Sequence, residues 1–233
     1  MSDWLGYQLQ DFIPFTADVY FRLFERMGET FWPLHLLTLA MGAAALVLAL
    51  QQRTRLACCL LAPLWVFIGV AFFIQRYAEL NWAGGYIGYT FIVQAVLLVV
   101  LALTGFGLGS LPHRPTVPAV IGAAIAIFGL VFLPLVAPLT GESWSQAQVL
   151  GIHADPTAIT TLGLLLILLR GWALCVAAIL PALWILTSAL TLQALDASGA
   201  GMLFTVLASA LLALVWKNLA PQPARTSDNP GPG

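Results

Sequence analysis

Arg76, Glu79 and Asn81 stand together in Gln75-Arg76-Tyr77-Ala78-Glu79-Leu80-Asn81-Trp82, between two long apolar runs. An ionisable group at membrane depth costs roughly 3 kcal/mol or more, so it is a functional hypothesis by default. Arg76 and Glu79 are three apart, a spacing at which a continuing helix lets them pair. Asn81 and Gln75 can hydrogen-bond, and Tyr77 and Trp82 suit an aromatic belt. These types allow an outward-facing polar pocket, with Arg76 suited to an anionic or zwitterionic solute. They equally allow an interfacial turn with a local ion pair.

Other candidates lie further along the chain. His35 is one turn inside the first apolar run. Gln94 is near the middle of the third, as an interhelical hydrogen bond or a pathway group. Glu142, His153 and Asp155 share the longest internal loop, and Asp155-Pro156 reads as a helix start with Asp155 as N-cap. His35, His153 and these carboxylates fall on one side, yet their spacing matches no metal motif. Cys58, Cys59 and Cys175 carry soft ligands, which select soft metals. Cysteine in an apolar helix is more often a packing residue, and no metal or cofactor is expected. The chain has no phosphate loop, metalloprotease helix or nucleophile elbow, so no enzyme is expected.

The elements that must hold these groups are membrane helices. The chain is 61% hydrophobic and 8% charged, against about 25% charged in soluble domains. Its mean hydropathy is +0.94, so its solvent is the lipid bilayer. A net charge of -1 gives no reason to expect nucleic acid. The odd number of cysteines makes no secreted disulfide framework. No signal peptide is expected, since a basic n-region and a small-residue cleavage site are missing.

Seven apolar runs cover 31–50, 56–74, 83–104, 117–137, 156–169, 172–192 and 199–216. The expected fold is an all-α polytopic transmembrane helix bundle of about seven spans. The fifth run reaches only about 20 Å at ~1.5 Å per residue, and six spans result if it does not cross. Gly84-x-x-x-Gly88 has the spacing of a close helix contact in lipid. Residues 1–30 form an interfacial segment, 31–217 the membrane domain, and 218–233 a disordered tail. From Thr16, a possible N-cap, Tyr20, Leu23, Phe24 and Met27 share one helical face and Asp18, Arg22, Glu25 and Glu29 another. That pattern suits a helix lying at the interface, as an anchor or as a lid.

With the amino end outside, seven spans leave Arg53, Arg55, Arg114, Arg170, Lys217 and Arg225 inside and Arg22, Arg26 and Arg76 outside. This excess of inner basic residues fits the positive-inside rule. Every acidic residue except Asp228 falls outside. A gapped internal repeat also runs through the chain. Arg55, Cys58, Pro63 and Leu64-Trp65 recur as Arg170, Cys175, Pro181 and Leu183-Trp184. It pairs runs one to three with runs five to seven, an arrangement found in transporters.

Trp4-x-x-Tyr7-x-Leu9-x-Asp11-Phe12, Tyr20-x-Arg22-Leu23-x-Glu25, Trp32-Pro33, Gln75-Arg76-Tyr77, Asn81-Trp82 and Asp155-Pro156-Thr157 carry a resemblance. On them the chain resembles a bacterial multi-pass membrane family, domain of unknown function six-zero-six-four. The resemblance implies a bacterial membrane protein and no particular activity, and the expected location is the bacterial inner membrane. Two functions are therefore expected. One is a small-solute transporter or permease with a site from Arg76, Glu79, Asn81, His35, Gln94 and Asp155. The other is a non-transporting accessory or assembly subunit that binds a membrane-protein partner. Gln94 is nearly alone at mid-depth, which favours the second; the repeat and the short fifth run favour the first.

Overall fold

The structure, a computed structural model, describes residues 16–107, 116–141 and 143–219. The Trp4 to Phe12 motif, Arg114, Glu142, Arg225, Asp228 and most of the expected tail lie outside the described residues. The described chain folds into eight helices. They are α1 (Ala17–Thr30), α2 (Leu34–Leu50), α3 (Thr54–Leu80), α4 (Gly84–Thr104), α5 (Val117–Leu139), α6 (Ala154–Leu168), α7 (Gly171–Ala194) and α8 (Ala200–Leu219). Five of them, α3, α4, α5, α7 and α8, are long and apolar enough to cross a membrane. The chain is thus an all-α membrane protein. Two of the seven expected runs are shorter. α2 has 17 residues and α6 has 15, or about 25 and 22 Å at ~1.5 Å per residue.

α1 is amphipathic, as its spacing requires. Tyr20, Phe24, Met27 and Gly28 are buried, while Arg22, Arg26 and Glu29 are exposed. It meets α2 at 92° across Phe31-Trp32-Pro33, so α1 lies across one end of the bundle. Thr16 is at its N-cap position but makes no side-chain cap bond.

The centre of the fold is α6. All of its residues are buried. It packs against α5 and α7 and also touches α2, α3 and α8. Glycine allows the closest approach. A Cβ on Gly163 would stand 2.5 Å from the Gly122 carbonyl oxygen, and one on Gly122 would stand 2.6 Å from the Gly163 oxygen. α3 and α4 cross in the same way at Gly69 and Gly88, so the expected small-residue motif is in use through Gly88. With no water to hydrogen-bond in lipid, backbone helices gain from such contact-driven packing. The two tryptophans of the sequence repeat both serve α6. Trp65 Nε1 donates to Thr161 Oγ1 at 2.9 Å, and Trp184 Nε1 donates to Asp155 Oδ1 at 2.8 Å.

Two helices carry π segments: Ile68–Tyr77 in α3, packed against α4, and Phe128–Phe132 in α5, packed against α6. The second leads directly into Leu133-Pro134, where proline supplies no N–H. Pro181 in α7 is handled differently. In a regular helix its N–H would bond the Ala177 carbonyl; here Gln94 Nε2 of α4 donates to that oxygen at 3.0 Å. The expected interhelical bond of Gln94 thus has a definite partner.

The two ends of the bundle differ in charge. At one end, Lys217 of α8 donates to the Leu166 carbonyl in the last turn of α6, a cation where the helix dipole favours one. The Arg170 N–H donates to the Gly107 carbonyl at 3.2 Å in the same region. α1, the 143–153 segment and the α3–α4 turn occupy the opposite end.

Candidate functional site

Cavities gather at the α1 end, and α1 is the wall between two of them. The first, of about 330 Å³, lies between α1, α5, α7 and α8. Its lining is mainly apolar, with Phe21 and Phe24 from α1, Leu133 and Val136 from α5, and Met202 and Leu203 from α8. Asp155 is part of its wall.

Asp155 is only 4% exposed. The helix begins two residues earlier than expected, at Ala154, and His153 takes the N-cap position. Asp155 is therefore not an N-cap. Its side chain turns across to α7, where Oδ1 accepts from Trp184 Nε1 and Oδ2 accepts from Ser188 Oγ, each at 2.8 Å. Trp184 and Ser188 are four apart, hence on one face of α7. The Tyr20 hydroxyl shares a hydrogen bond with Ser188 and so ties α1 to the same cluster. Trp184, Ser188 and Tyr20 were not singled out as site residues from sequence. The i, i+4 spacing of Trp184 and Ser188 was the available signal.

His153 fastens α1 from below. Its Nδ1 accepts from the Val149 N–H at 3.0 Å, so its Nε2 carries the proton and donates to the Phe24 carbonyl at 3.2 Å. Burial pushes its pKa down to about 4, and His35 nearby acts in the same direction. The neutral ring is what holds α1. The folded pKa is depressed, so this contribution is complete above the ordinary value of 6.5 and is lost as pH falls toward about 4. Amide exchange in residues 17–30 is expected to quicken, beyond the intrinsic pH effect, between pH 7 and 4.5. In His153→Asn, which does not titrate, that extra acceleration should vanish; if it persists, His153 is not the fastener.

The second cavity, of about 400 Å³, lies between α1 and the end of α3. Arg22, Arg26 and Glu29 face Arg76 and Glu79 across it. Arg76 and Glu79 thus share a cavity but do not pair. Arg76 Nη1 instead donates to the Ala71 carbonyl at 2.5 Å, with its guanidinium 4.9 Å above the Phe31 ring. The π winding of Ile68–Tyr77 changes the phase that an i, i+3 pair needs.

The remaining expected site residues are elsewhere. Asn81 Oδ1 accepts from the Ala83 N–H at 2.9 Å and shapes the turn between α3 and α4. His35 is buried beside Trp32, with ring centroids 5.7 Å apart. Gln94 is fully buried in the α4–α7 contact. Arg76 with Glu79 and Asp155 line separate cavities, so the six residues do not form one pocket. Cys58 is buried while its neighbour Cys59 is exposed, and Cys175 lies near Asn218. Among the described residues no group of three or more His, Cys, Asp and Glu is placed to hold a metal.

A family model described as a family of unknown function, DUF6064, matches residues 17–225. The chain belongs to that family. No curated protein and no solved structure matches it.

Proposed function

We propose that the protein is a transporter for a small amphipathic solute with a cationic, hydrogen-bond-donating head. The solute would enter at the α1 end and meet Asp155. The observation that carries this reading is a buried carboxylate in the wall of an apolar cavity, held by two neutral donors, Trp184 and Ser188. Taking a charge out of water is costly unless it is paired. A solute ammonium supplies the missing counter-charge, and the apolar walls take its hydrocarbon part. Among the described residues, Arg53, Arg55, Arg170 and Lys217 at one end against Arg22, Arg26 and Arg76 at the other support an outward-facing α1 end.

One feature favours the accessory-subunit reading. Phe73, Phe91 and Trp184 pack against one another beside Asp155, with ring centroids 4.6 to 5.5 Å apart. A transported solute has to displace this layer, whereas a bound effector or partner segment does not.

The test is thermal stabilisation of the purified protein by alkyl ammonium, alkyl carboxylate and alkanol of equal chain length. The ammonium is expected to bind at least ~10-fold tighter, equivalent to about 1.4 kcal/mol, and Asp155→Asn should erase the preference. Equal binding of all three sinks the cationic-solute reading. Cysteine at position 94, in a background lacking Cys58, Cys59 and Cys175, then separates transport from partner binding. Labelling from the α1 side that increases with the ammonium supports transport, and complete protection with and without it supports the accessory role.

A further inference from the structure

The second cavity carries an inference independent of Asp155. We propose that the cleft between α1 and the end of α3 seats the headgroup of a zwitterionic phospholipid. Its phosphate would rest on Arg22, Arg26 and Arg76, and its ammonium on Glu29 and Glu79.

The lining holds three guanidinium groups and two carboxylates in one open cavity of about 400 Å³. Among the described residues, no ion pair or side-chain hydrogen bond occupies Arg22, Arg26, Glu29 or Glu79. Arg22 and Arg26 are one turn apart on α1, where like charges repel. A phosphate between them removes that repulsion, and guanidinium matches phosphate with paired N–H donors. Arg76 is already oriented by the Ala71 carbonyl and the Phe31 ring, so part of its ordering cost is met before a ligand arrives. The two carboxylates make the cleft a poor match for a purely anionic ligand, since they would face a second negative group. A zwitterion satisfies both signs.

The level of the cleft points to a lipid rather than a dissolved solute. α1 lies across the bundle end. Trp82 and Tyr86, beside Glu79 in the chain, are 82% and 68% exposed and form a ring pair at 6.1 Å. With Trp32, also exposed, they mark the depth at which aromatic belts and headgroups sit. Leu23 and Leu80 line the same cleft and give the glycerol and first acyl carbons an apolar seat.

The full-length protein in detergent is titrated by native mass spectrometry with dioctanoyl phosphatidylethanolamine, dioctanoyl phosphatidylglycerol and dioctanoylglycerol. Phosphatidylethanolamine is expected to bind at least ~10-fold tighter than either of the others. Arg22→Gln with Arg26→Gln should weaken it by a similar factor. Glu29→Gln with Glu79→Gln should invert the order, making phosphatidylglycerol the tighter ligand. These four side chains are exposed, so the variants retain the fold. Phosphatidylglycerol binding as well as phosphatidylethanolamine to the unaltered protein would reduce the cleft to a plain basic patch and overturn the proposal. So would an unchanged order in the carboxylate variant. Full competition by glycerophosphoethanolamine, which has no acyl chains, would also overturn it by making this a soluble-solute site.

Discussion

Gly163→Val is expected to prevent folding, leaving aggregated protein where the parent gives a single species on size exclusion. A Cβ at 163 would stand 2.5 Å from both the Ala126 nitrogen and the Gly122 oxygen, and 3.0 Å from the Ala126 Cα. All three are backbone atoms, so no rotamer change relieves the clash. α5 and α6 have to separate. Overpacking a core usually costs about 1–3 kcal/mol; with only backbone to yield, the cost here is put at about 3 kcal/mol or more. That is a large part of a total stability of about 5–15 kcal/mol. Gly122→Val should behave in the same way from the other side. Gly85→Ala and Gly201→Ala, where an added Cβ meets nothing within 4 Å, serve as controls with little change in Tm. A Gly163→Val protein that melts with the controls would mean that α5 and α6 do not approach at this crossing.

The second large effect concerns the Ala177 carbonyl. Gln94→Leu removes the side-chain donor that replaces the missing N–H of Pro181. An unpaired carbonyl inside an apolar bundle costs about 1–3 kcal/mol. Pro181→Ala restores the backbone donor to the same oxygen. Gln94→Leu should therefore cost at least about 1 kcal/mol in the parent and much less in the Pro181→Ala background. The double-mutant cycle measures this directly. An equal cost in both backgrounds would show that Gln94 acts through packing alone.

The helical plan was legible because apolar runs of span length have few other uses. Gln94 was legible as an interhelical bond, but its partner was not. That partner exists only because Pro181 sits four residues after Ala177, on a helix 83 positions away from Gln94 in the chain. Asp155 stood out by charge, and its position before Pro156 made it look like a cap. Its real partners, Trp184 and Ser188, lie 29 and 33 positions on, a separation no local pattern encodes. The spacing of Arg76 and Glu79 allows a pair on regular helical winding, which the π segment replaces. Arg22 and Glu29 read as part of the polar face of an interfacial helix. Only the packing of α1 onto α3 turns that face into one side of a cleft.

The sequence of α6 reads as short, but a run rich in leucine looks alike whether it faces lipid or protein. Its complete burial has a consequence for how the chain is made. A segment that never touches lipid in the finished protein gains nothing lasting from partitioning into the bilayer on its own. Synthesis delivers α6 after α5 but before α7 and α8, two of the helices that enclose it. Its place must therefore be held open, or its insertion delayed, until α7 and α8 emerge. Nascent chains ending after Leu168 should leave α6 exposed to quality-control proteases, and chains that include α7 and α8 should protect it. The enclosure of α6 thus waits on α7 and α8, which close over a helix made earlier.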